Sequence, residues 1–369
     1  MQELREETQT MKISLHMIVR DEEEVLARCL DAIEGLYDEL VIVDTGSLDK
    51  TKEIAAKYGA RIYDMEWVDN FGKARQYALD QCTGDIVGYC DADMVFDGDV
   101  KETRKYLIEQ FTNGIDMVSA PYVWGSYNPG EPPSLVYNLP WFFRREKFQW
   151  VGAVHEFLRA MEPEVKKCST DLFGYGHRRG ANGEGYKDRN LRILRKVVQE
   201  DATPRDWFYY GSECTYHALW QEAIVALQRY VNISTFPAEH ARALYEIAHA
   251  YFVLGDNQNA QEWAFRAISK DPRYSEPYNL LGAINVQNQQ WHLALGWYLH
   301  ASNLPVPDTQ WFDYLPPRTY VPLEWSAICY WKLGDKDKAC ACHEKALAYD
   351  PKNTWLVSND EWFKKGKST

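Results

Sequence analysis

The C-terminal half of the sequence repeats itself, and this repeat limits the possible fold more than any other feature. The segment "LGDNQNAQEWAFRAISKDP", from residue 254, aligns without gaps with "LGDKDKACACHEKALAYDP", from residue 333. Between them, Ala294 and Ala301 reproduce the pair Ala260 and Ala267 at an interval of 34 residues. Small residues let paired helices approach closely, and proline ends each unit because it cannot continue a helix. The pattern predicts a stack of helix pairs.

The 34-residue period and the spacing of its small residues resemble the tetratricopeptide repeat. Extending the frame backwards gives a first unit, marked by Trp207, Tyr210, Gly211 and Ala223. We therefore expect about four repeats between roughly residues 204 and 351. One interval is longer, and the excess falls in "PVPDTQWFDYLPPRTYVP", residues 305–322. Its proline and aromatic content predicts an ordered, protruding loop, which is either a tolerated insertion or a contact for a partner.

The N-terminal half alternates strands with helices. Apolar, β-branched runs predict strands at 12–19, 39–45, 61–67 and 85–93. Helical spacing, acidic first turns and glycine stops predict helices at 21–36, 46–60 and 71–82. Alternation of this kind indicates an α/β domain with a mostly parallel sheet and helices on both faces. Ligands of such sheets bind beyond the carboxyl ends of the strands.

Three carboxylates stand at those strand ends. Asp44 ends the second predicted strand, and Asp91 and Asp93 end the fourth. Residues one apart on a strand point to the same side, so Asp91 and Asp93 can face one point outside the sheet. Two such carboxylates repel, whereas Mg²⁺ or Mn²⁺ binds one or two carboxylates together with substrate phosphates. A solvated turn or a helix cap is the alternative use of an Asp-x-Asp sequence.

In order along the chain, these blocks resemble the family 2 glycosyltransferases of the GT-A fold. "SLHMIVRDEEEVLARCL" is similar to their first strand and helix, and "VIVDTGSLDKT" to their second-strand motif. "NFGKARQYAL…TGDIVGYCDADM" is similar to the segment that leads to their DxD motif, and a looser match continues through residues 141–158. The resemblance implies a Rossmann-like, mostly parallel GT-A catalytic domain. Several bacterial members carry tetratricopeptide repeats behind it.

The resemblance also implies a donor site and a metal site. The residues implied to bind the donor on these elements are Ile18, Arg20, Glu23, Asp44, Arg75 and Asp91. The backbone from Ile18 to Asp21, with Glu23, would frame the nucleoside; Asp44 would bind the base or ribose, and Arg75 the nucleotide or its phosphates. Asp93, with Asp91, would hold Mn²⁺ or Mg²⁺. One departure from the family is Asp21, where many members have Asn, and this weakens the inferred base contacts there.

Sugar transfer also needs a group that takes the proton of the acceptor. The best candidate is His155-Glu156, which resembles the family's Gly-x-x-His-Glu stretch from Gly152 onwards. We interpret Glu156 as the general base or an acceptor anchor, and His155 as a contact to the metal or a phosphate. Both residues could instead be structural polar partners beneath the acceptor loop.

Two further segments are candidates for donor and acceptor contacts. "FGYGHRRGANGEGY", residues 173–186, is glycine-rich and basic; it could close over a diphosphate through His177 with Arg178 or Arg179, or be a plain linker. Residues 122–141 are rich in aromatic residues and proline, and would form an acceptor-side loop. Trp and Tyr stack on sugar rings, but they also fill cores.

The composition of the chain limits which cellular compartment and which binding partners are expected. The net charge of −13 argues against non-specific nucleic-acid binding, without excluding a local basic groove. No apolar run approaches the 18 residues of a membrane span, and the first ten residues are too polar for a signal peptide. The eight cysteines contain no CxxC pair, which favours reduced thiols. We expect a cytoplasmic protein with a disordered lead (1–11), a catalytic domain (12–185) and a repeat domain (186–369).

The leading hypothesis is a metal-dependent glycosyltransferase that uses a nucleotide sugar, most simply a UDP-sugar. Its acceptor would be a peptide, a lipopolysaccharide, another glycan or a modified nucleobase, and the repeats would dock a macromolecular acceptor or mediate self-association. A nucleotidyltransferase is disfavoured, because acidic residues 21–24 follow the first strand where a basic, glycine-rich phosphate loop is expected. A repeat adaptor that only binds nucleotide is the third hypothesis, and the retained acidic and basic site residues argue against it.

Overall fold

The computed structural model describes residues 11–124, 135–177, 188–200, 202–234, 236–305 and 313–367. The predicted disordered lead falls almost entirely outside these ranges. The described residues divide into two units, the first containing 11–124 and 136–177 and the second those from 188 onwards. Within the described residues, no helix is long and apolar enough to cross a membrane.

The first unit begins with the predicted alternation of strands and helices. The parallel strands are β1 (Ile13–Val19), β2 (Glu39–Asp44), β3 (Arg61–Asp64) and β4 (Ile86–Tyr89). The helices between them are α1 (Leu26–Ala32), α2 (Thr51–Lys57) and α3 (Phe71–Gln81). Every residue of β2 is buried, because helices cover both faces of a parallel sheet. The α/β architecture is therefore confirmed, with shorter third and fourth strands than expected.

The rest of the first unit extends the sheet. Its elements are β5 (Met94–Gly98), α4 (Val100–Thr112), β6 (Met117–Trp124), β7 (Leu135–Arg144), β8 (Phe148–Val151), β9 (Phe157–Ala160), β10 (Lys167–Ser169) and β11 (Phe173–His177). The strand order is β3-β2-β1-β4-β7-β6-β11-β5, with β10 beside β6. Strand β7 is antiparallel to β4, and β8 with β9 forms a separate antiparallel hairpin. The sheet is mixed but mostly parallel.

The start of the predicted flexible segment 173–186 is part of this sheet. Residues Phe173–His177 form β11, which pairs antiparallel with β5, and Tyr175 is buried. A Cβ on Gly174 would lie 2.9 Å from the main-chain oxygen of Pro121. Glycine at this position therefore permits close packing and does not provide flexibility. The remainder of the segment, including Arg178 and Arg179, lies outside the described residues.

The second unit is helical. Helix α5 (Arg189–Val197) is followed by four pairs: α6 (Pro204–Tyr216) with α7 (Trp220–Ile233), α8 (Pro237–Val253) with α9 (Asn257–Lys270), α10 (Glu276–Gln287) with α11 (Trp291–Ser302), and α12 (Tyr320–Lys332) with α13 (Lys336–Tyr349). Helix α14 (Thr354–Lys367) follows the last pair. The four pairs agree with the number of repeats that the sequence period predicts.

Close helix packing explains the small residues of the repeat. A Cβ at Gly211 of α6 or Gly282 of α10 would lie 2.4 or 2.6 Å from side-chain atoms of the partner helix. The equivalent positions of α8 and α12 hold Ala248 and Ala327, which are fully buried. A larger side chain at these four positions would push the paired helices apart.

The insertion between α11 and α12 is partly described. It contains a two-residue strand, β12 (Asp313–Tyr314), and a 3₁₀ turn, Pro316–Arg318. The buried guanidinium of Arg318 donates to the carbonyl oxygens of Pro305, at 2.9 Å, and Arg273, at 3.2 Å. The amide of Asn279 in α10 donates to the carbonyl oxygen of Pro317 at 2.6 Å. This end of the insertion is therefore docked on the repeats, and residues 306–312 lie outside the described ranges.

Candidate active site

The loops that follow β1 and β2 are joined by reciprocal hydrogen bonds. The carboxylate of Asp21 accepts the N–H of Leu48 at 2.7 Å, and the carboxylate of Glu23 accepts the N–H of Lys50 at 3.1 Å. The N–H of Glu23 donates in turn to the carboxylate of Asp49 at 2.9 Å. Asp21 has a φ of 55°, in the left-handed region that Asp tolerates better than most residues. The carboxylate of Glu23 thus holds one loop to the other.

Asp44 ends β2 with one carboxylate oxygen fixed and the other unpartnered. Its Oδ1 accepts the N–H groups of Gly46, at 2.9 Å, and Ser47, at 2.8 Å. Its Oδ2 is buried and has no hydrogen-bond partner among the described residues. A buried acceptor without a donor costs free energy, so a ligand that supplies an N–H or O–H group would be favoured there.

Arg75 of α3 brings together two carboxylates from distant parts of the chain. Its Nη2 lies 2.7 Å from Oδ1 of Asp91, and its Nε lies 2.5 Å from Oε1 of Glu156. The rings of Tyr89 and Trp150 each lie with their centroids 5.2 Å from the guanidinium carbon. Burial alone would lower the pKa of Arg75, but the two carboxylates outweigh burial and raise the pKa. The arginine therefore stays charged inside a buried cluster.

The turn that carries His155 and Glu156 is docked on the first residues of α3. The N–H groups of Phe71 and Gly72 donate to the carbonyl oxygens of Ala153, at 2.9 Å, and Gly152, at 3.0 Å. A Cβ on Gly72 would lie 2.4 Å from the oxygen of Gly152, so only glycine permits this approach. His155 is exposed and has a φ of 52°. This turn places the carboxylate of Glu156 beside the guanidinium of Arg75.

Glu22 is a site residue that sequence reasoning missed. Burial and the charges of Asp93 and Asp91, with smaller effects of Asp49 and Asp21, raise its pKa from 4.5 to about 7. Its carboxyl group therefore belongs to the same negative region as the Asp-x-Asp pair. Nothing in the acidic run of residues 21–24 distinguishes Glu22 from its neighbours, because only the loop geometry turns it inwards.

His16 is a second residue that the sequence did not single out. It is fully buried in β1, and its Nε2 accepts the indole N–H of Trp150 at 3.3 Å. Burial and the charge of Arg75 lower its pKa, so the imidazole is neutral. A histidine inside an apolar strand gave no signal of this contact, since its partner is 134 residues away in sequence.

The other predicted residues occupy the same edge of the sheet or fall outside the described ranges. Asp93 is half-buried, and its carbonyl oxygen accepts from Nη2 of Arg28 at 3.0 Å. Ile18 is half-buried in β1, and Arg20 is exposed. His177 ends β11 in register with Met94, the residue after Asp93. Most of the acceptor-side segment, residues 125–134, lies outside the described residues, as does Arg178.

Among the described residues, no group of three or more His, Cys, Asp or Glu side chains is arranged to enclose a metal ion. An ion at this edge would therefore need ligands from a bound substrate or water in addition to protein carboxylates, which is a common arrangement for Mg²⁺.

The chain therefore has a mixed, mostly parallel α/β domain with acidic residues at its strand ends, followed in sequence by a helical repeat array. Residues 14–160 match the model of "Glycosyl transferase family 2", and residues 241–274 and 325–353 match that of "Tetratricopeptide repeat". Residues 14–160 are thus similar to glycosyltransferase family 2 and parts of the second unit to tetratricopeptide repeats, which agrees with the resemblances that the sequence motifs indicated.

Individual relatives match parts of the chain. A TPR repeat-containing protein of Synechococcus elongatus is 46% identical over 82 residues, which is 22% of this chain and 20% of that protein. An uncharacterized glycosyltransferase of Rickettsia conorii is 31% identical over 98 residues, or 27% of this chain and 34% of that protein. The chain thus spans between a fifth and about a third of these curated relatives. The structure of S. aureus TarS 1-349 in complex with UDP-GlcNAc has a TM-score of 0.40 and 15% identity, covering 72% of this chain and 93% of that one.

Proposed function

We propose that this protein transfers a sugar from a nucleotide-sugar donor to an acceptor. The observation that carries the proposal is the pair of carboxylates, Asp91 beyond β4 and Glu156, that Arg75 links. At the end of β2, Asp44 adds a buried carboxylate oxygen that has no partner among the described residues. Parallel sheets of this kind bind ligands at that edge. The match of residues 14–160 to glycosyltransferase family 2 supports the same activity.

The donor would enter with its nucleoside towards Asp44. The free Oδ2 suits an N–H group of a base or an O–H group of a ribose, because it is buried without a hydrogen-bond donor. The N–H groups of Gly46 and Ser47 fix the other oxygen of this carboxylate, and the end of β1 lies alongside, with Val19 in register with Asp44. A uridine diphosphate sugar, with an imide N–H in its base, is the donor that we propose.

Mn²⁺ or Mg²⁺ fits the acidic residues beyond β4. Burial and the charges of Asp93 and Asp91 raise the pKa of Glu22, as expected where carboxylates lie close together, and oxygen ligands are those that both ions prefer. Asp93 and Asp91 would hold the ion, with the donor phosphates as additional ligands. When bound, the ion would neutralise the charge that develops on the leaving diphosphate.

Glu156 is the group that we propose to take the proton of the acceptor. It lies at the end of the turn that is docked on α3, and its side chain is only 13% exposed. Arg75 balances its charge in the absence of an acceptor. His155, on the exposed part of the same turn, would contact a phosphate or the metal.

The acceptor would be a macromolecule or a glycan that the repeats select, because stacked helix pairs form extended concave surfaces. A peptide, a lipopolysaccharide, another glycan and a modified nucleobase are the classes to test. Self-association through the repeats is the competing proposal for the second unit.

Calorimetric titration with UDP, with and without Mn²⁺, followed by a screen of nucleotide sugars for slow hydrolysis, tests this function. We expect UDP to bind more tightly with Mn²⁺ and one nucleotide sugar to be hydrolysed. A protein that binds UDP and hydrolyses no nucleotide sugar would support the adaptor hypothesis instead. A protein that binds no nucleotide would contradict both.

Replacing Glu156 by Gln should leave donor affinity within about threefold of the wild type and abolish transfer, because Gln keeps the shape of the side chain and cannot take a proton. Donor affinity is measured by calorimetry and transfer by product formation. Glu162→Gln is the matched control, since Glu162 lies just after the same hairpin and is 58% exposed. A large loss of donor affinity, with normal turnover per bound donor, would make Glu156 a structural residue.

A further inference from the structure

The guanidinium of Arg75 is engaged on several sides by fixed groups. Asp91 and Glu156 take Nη2 and Nε at 2.7 and 2.5 Å. The rings of Tyr89 and Trp150 flank it, perpendicular to each other and with centroids 4.7 Å apart. Such an environment combines charge-assisted hydrogen bonds with cation–π contacts, which fixes the orientation of a guanidinium.

The aromatic part of this environment is itself held in place. The indole N–H of Trp150 donates to His16 in β1, and the main-chain N–H of Trp150 donates to Oε1 of Gln76 at 2.8 Å. Gln76 follows Arg75 in α3. Consecutive residues of this helix therefore carry the guanidinium and bind the main chain of β8, the strand that contains Trp150. With its main chain bound to Gln76 and its indole bound to His16, Trp150 is held beside the guanidinium.

The two nitrogens of Arg75 that face the site carboxylates are already occupied. The remaining one, Nη1, is buried without a hydrogen-bond partner among the described residues and belongs to a side chain that is only 7% exposed. A diphosphate that approached Nη2 or Nε would have to displace one of the two carboxylates. That displacement would leave a carboxylate in the cluster without its counter-charge, which is unfavourable.

We infer that Arg75 is a positioning residue that holds Asp91 and Glu156 in one fixed geometry, and that it does not bind the donor diphosphate. The inference rests on the proposed function, because it assigns how the donor-side and acceptor-side carboxylates of that site are kept in register. It differs from the role that the family resemblance implied for Arg75, which was contact with the nucleotide or its phosphates.

Arginine is required for this role because its planar fork can serve two carboxylates at once. Lysine would keep the positive charge, but its ammonium is a compact group on a flexible chain and cannot hold two carboxylates in the same arrangement. Asp91 and Glu156 would then be free to move, and small displacements of reacting groups cost about 100-fold in rate.

The test compares the full-length wild type with Arg75→Lys in their affinities for uridine and UDP, measured by calorimetry in EDTA. The two ligands differ only in the diphosphate, so the ratio of their affinities reports phosphate contacts without a metal contribution. We expect this ratio to stay within about threefold of the wild type, while turnover of the donor falls about 100-fold. The gain in UDP affinity on adding Mn²⁺ should also shrink, because Asp91 is no longer held.

A fall of about tenfold or more in the UDP-to-uridine ratio would overturn the inference and assign Arg75 to the diphosphate. Unchanged turnover would also overturn it. If Arg75→Lys does not fold, Trp150→Phe replaces it, since Phe keeps a ring and loses the hydrogen bond to His16. That variant should lose turnover with an unchanged ratio, and wild-type turnover would count against the inference.

Arg61→Lys is the matched control. Arg61 lies in β3, pairs with Glu39 at 2.5 Å and has the ring of Tyr63 at 5.6 Å, but β3 starts there, away from the carboxyl ends of the strands. For Arg61→Lys, the ratio of UDP to uridine affinity and the turnover of the donor should both match those of the wild type. The two proposals fail differently: a wild type that binds no UDP contradicts the proposed function, whereas a wild type that binds and turns over donor, with a lowered ratio only in Arg75→Lys, contradicts the positioning role alone.

Discussion

Negative charge at the edge of the sheet is balanced unevenly from one residue to the next. Asp91 is paired with Arg75, and the carboxylate of Glu23 accepts a main-chain N–H group. Glu22, in contrast, has its pKa raised to about 7 by burial and by Asp93 and Asp91. A cation at this position would relieve that repulsion, whereas one at Glu23 would gain less. This imbalance supports our proposal that a metal ion would bind close to Glu22 and the Asp-x-Asp pair.

Asp93→Ala should abolish the gain in UDP affinity on adding Mn²⁺ and reduce sugar transfer by about 100-fold or more, because it removes a proposed metal ligand. The fold should persist, since the carbonyl oxygen that binds Arg28 is retained. Calorimetry with and without Mn²⁺ measures the first effect, and circular dichroism checks the fold. Wild-type turnover that still depends on Mn²⁺ would refute the assignment of Asp93.

Glu22→Gln should stabilise the metal-free protein at pH 8 and have little effect near pH 5. The folded pKa of Glu22, about 7, lies above its ordinary value of 4.5, so between these values the folded state binds more protons than the unfolded state. The free energy of unfolding therefore falls as the pH rises through this window, and Gln removes the decline. We expect a gain of about 1 kcal/mol at pH 8 after allowing for solvent screening.

Urea denaturation in EDTA at the two pH values measures this difference. Glu24→Gln is the control, because Glu24 is an exposed neighbour in the same acidic run. Equal effects of Glu22→Gln at both pH values would show that its carboxyl group is not part of the acidic cluster.

At the residue scale, the sequence indicated the carboxylates at strand ends but not their surroundings. Asp44 and Asp91 were predictable because they close apolar strands, and strand ends meet at one edge. The unpartnered oxygen of Asp44 was not predictable, since it depends on which N–H groups the next turn supplies. His16 and Trp150 meet only through tertiary structure, and no local pattern reports such a contact.

At the scale of elements, helix α3 and the turn from Gly152 to Glu156 behave as one piece. Two main-chain hydrogen bonds join them, and Gly72 lies against the oxygen of Gly152. Asn70 caps the helix by accepting the N–H of Lys73 at 2.8 Å. The position of Glu156 is therefore set by the start of a helix more than 70 residues earlier.

Gly72→Ala should separate these two elements. Its Cβ would lie 2.4 Å from a main-chain oxygen, and relieving the clash must shift the turn that carries Glu156. We expect a loss of about 1–3 kcal/mol in unfolding free energy, together with reduced transfer. Gly296→Ala in α11 is the matched control, because nothing lies within 4 Å of its Cβ position and Ala favours a helix by up to about 1 kcal/mol. Wild-type stability of Gly72→Ala would contradict this account.

The residues at which helices and strands begin and end are not predicted by the hydrophobic periodicity of the sequence alone. The first helix was expected from residue 21 but begins at Leu26. The left-handed φ of Asp21 is incompatible with a helix, and the following residues hydrogen-bond to the loop after β2. The repeats, by comparison, were predictable in number because their packing demands a small residue at fixed intervals. The docking of the insertion through Arg318 was not, since it depends on carbonyl groups brought together by the fold.

At the scale of the whole molecule, the two units differ in the functional features that they contain. The first contains every residue of the proposed reaction, and the second contains a regular stack of helix pairs with an insertion. Repeat arrays present extended surfaces and contribute scaffold or recognition, whereas chemistry resides in grafted sites. We therefore propose that the first unit carries out the chemistry on the donor and that the second unit recognises the acceptor.

A chain that ends at residue 186 tests this division. We expect the fragment to bind UDP with Mn²⁺ and to hydrolyse the donor at a rate within about threefold of the full chain, because all the proposed donor contacts precede the cut. Transfer of a radiolabelled sugar to macromolecules of a host lysate should fall about tenfold or more, since the concave surface of the repeats is missing. An insoluble or unfolded fragment would show instead that the repeats stabilise the first unit. Full transfer without the repeats would defeat both the recognition role and the scaffold role, because the first unit would then suffice for acceptor binding and for folding.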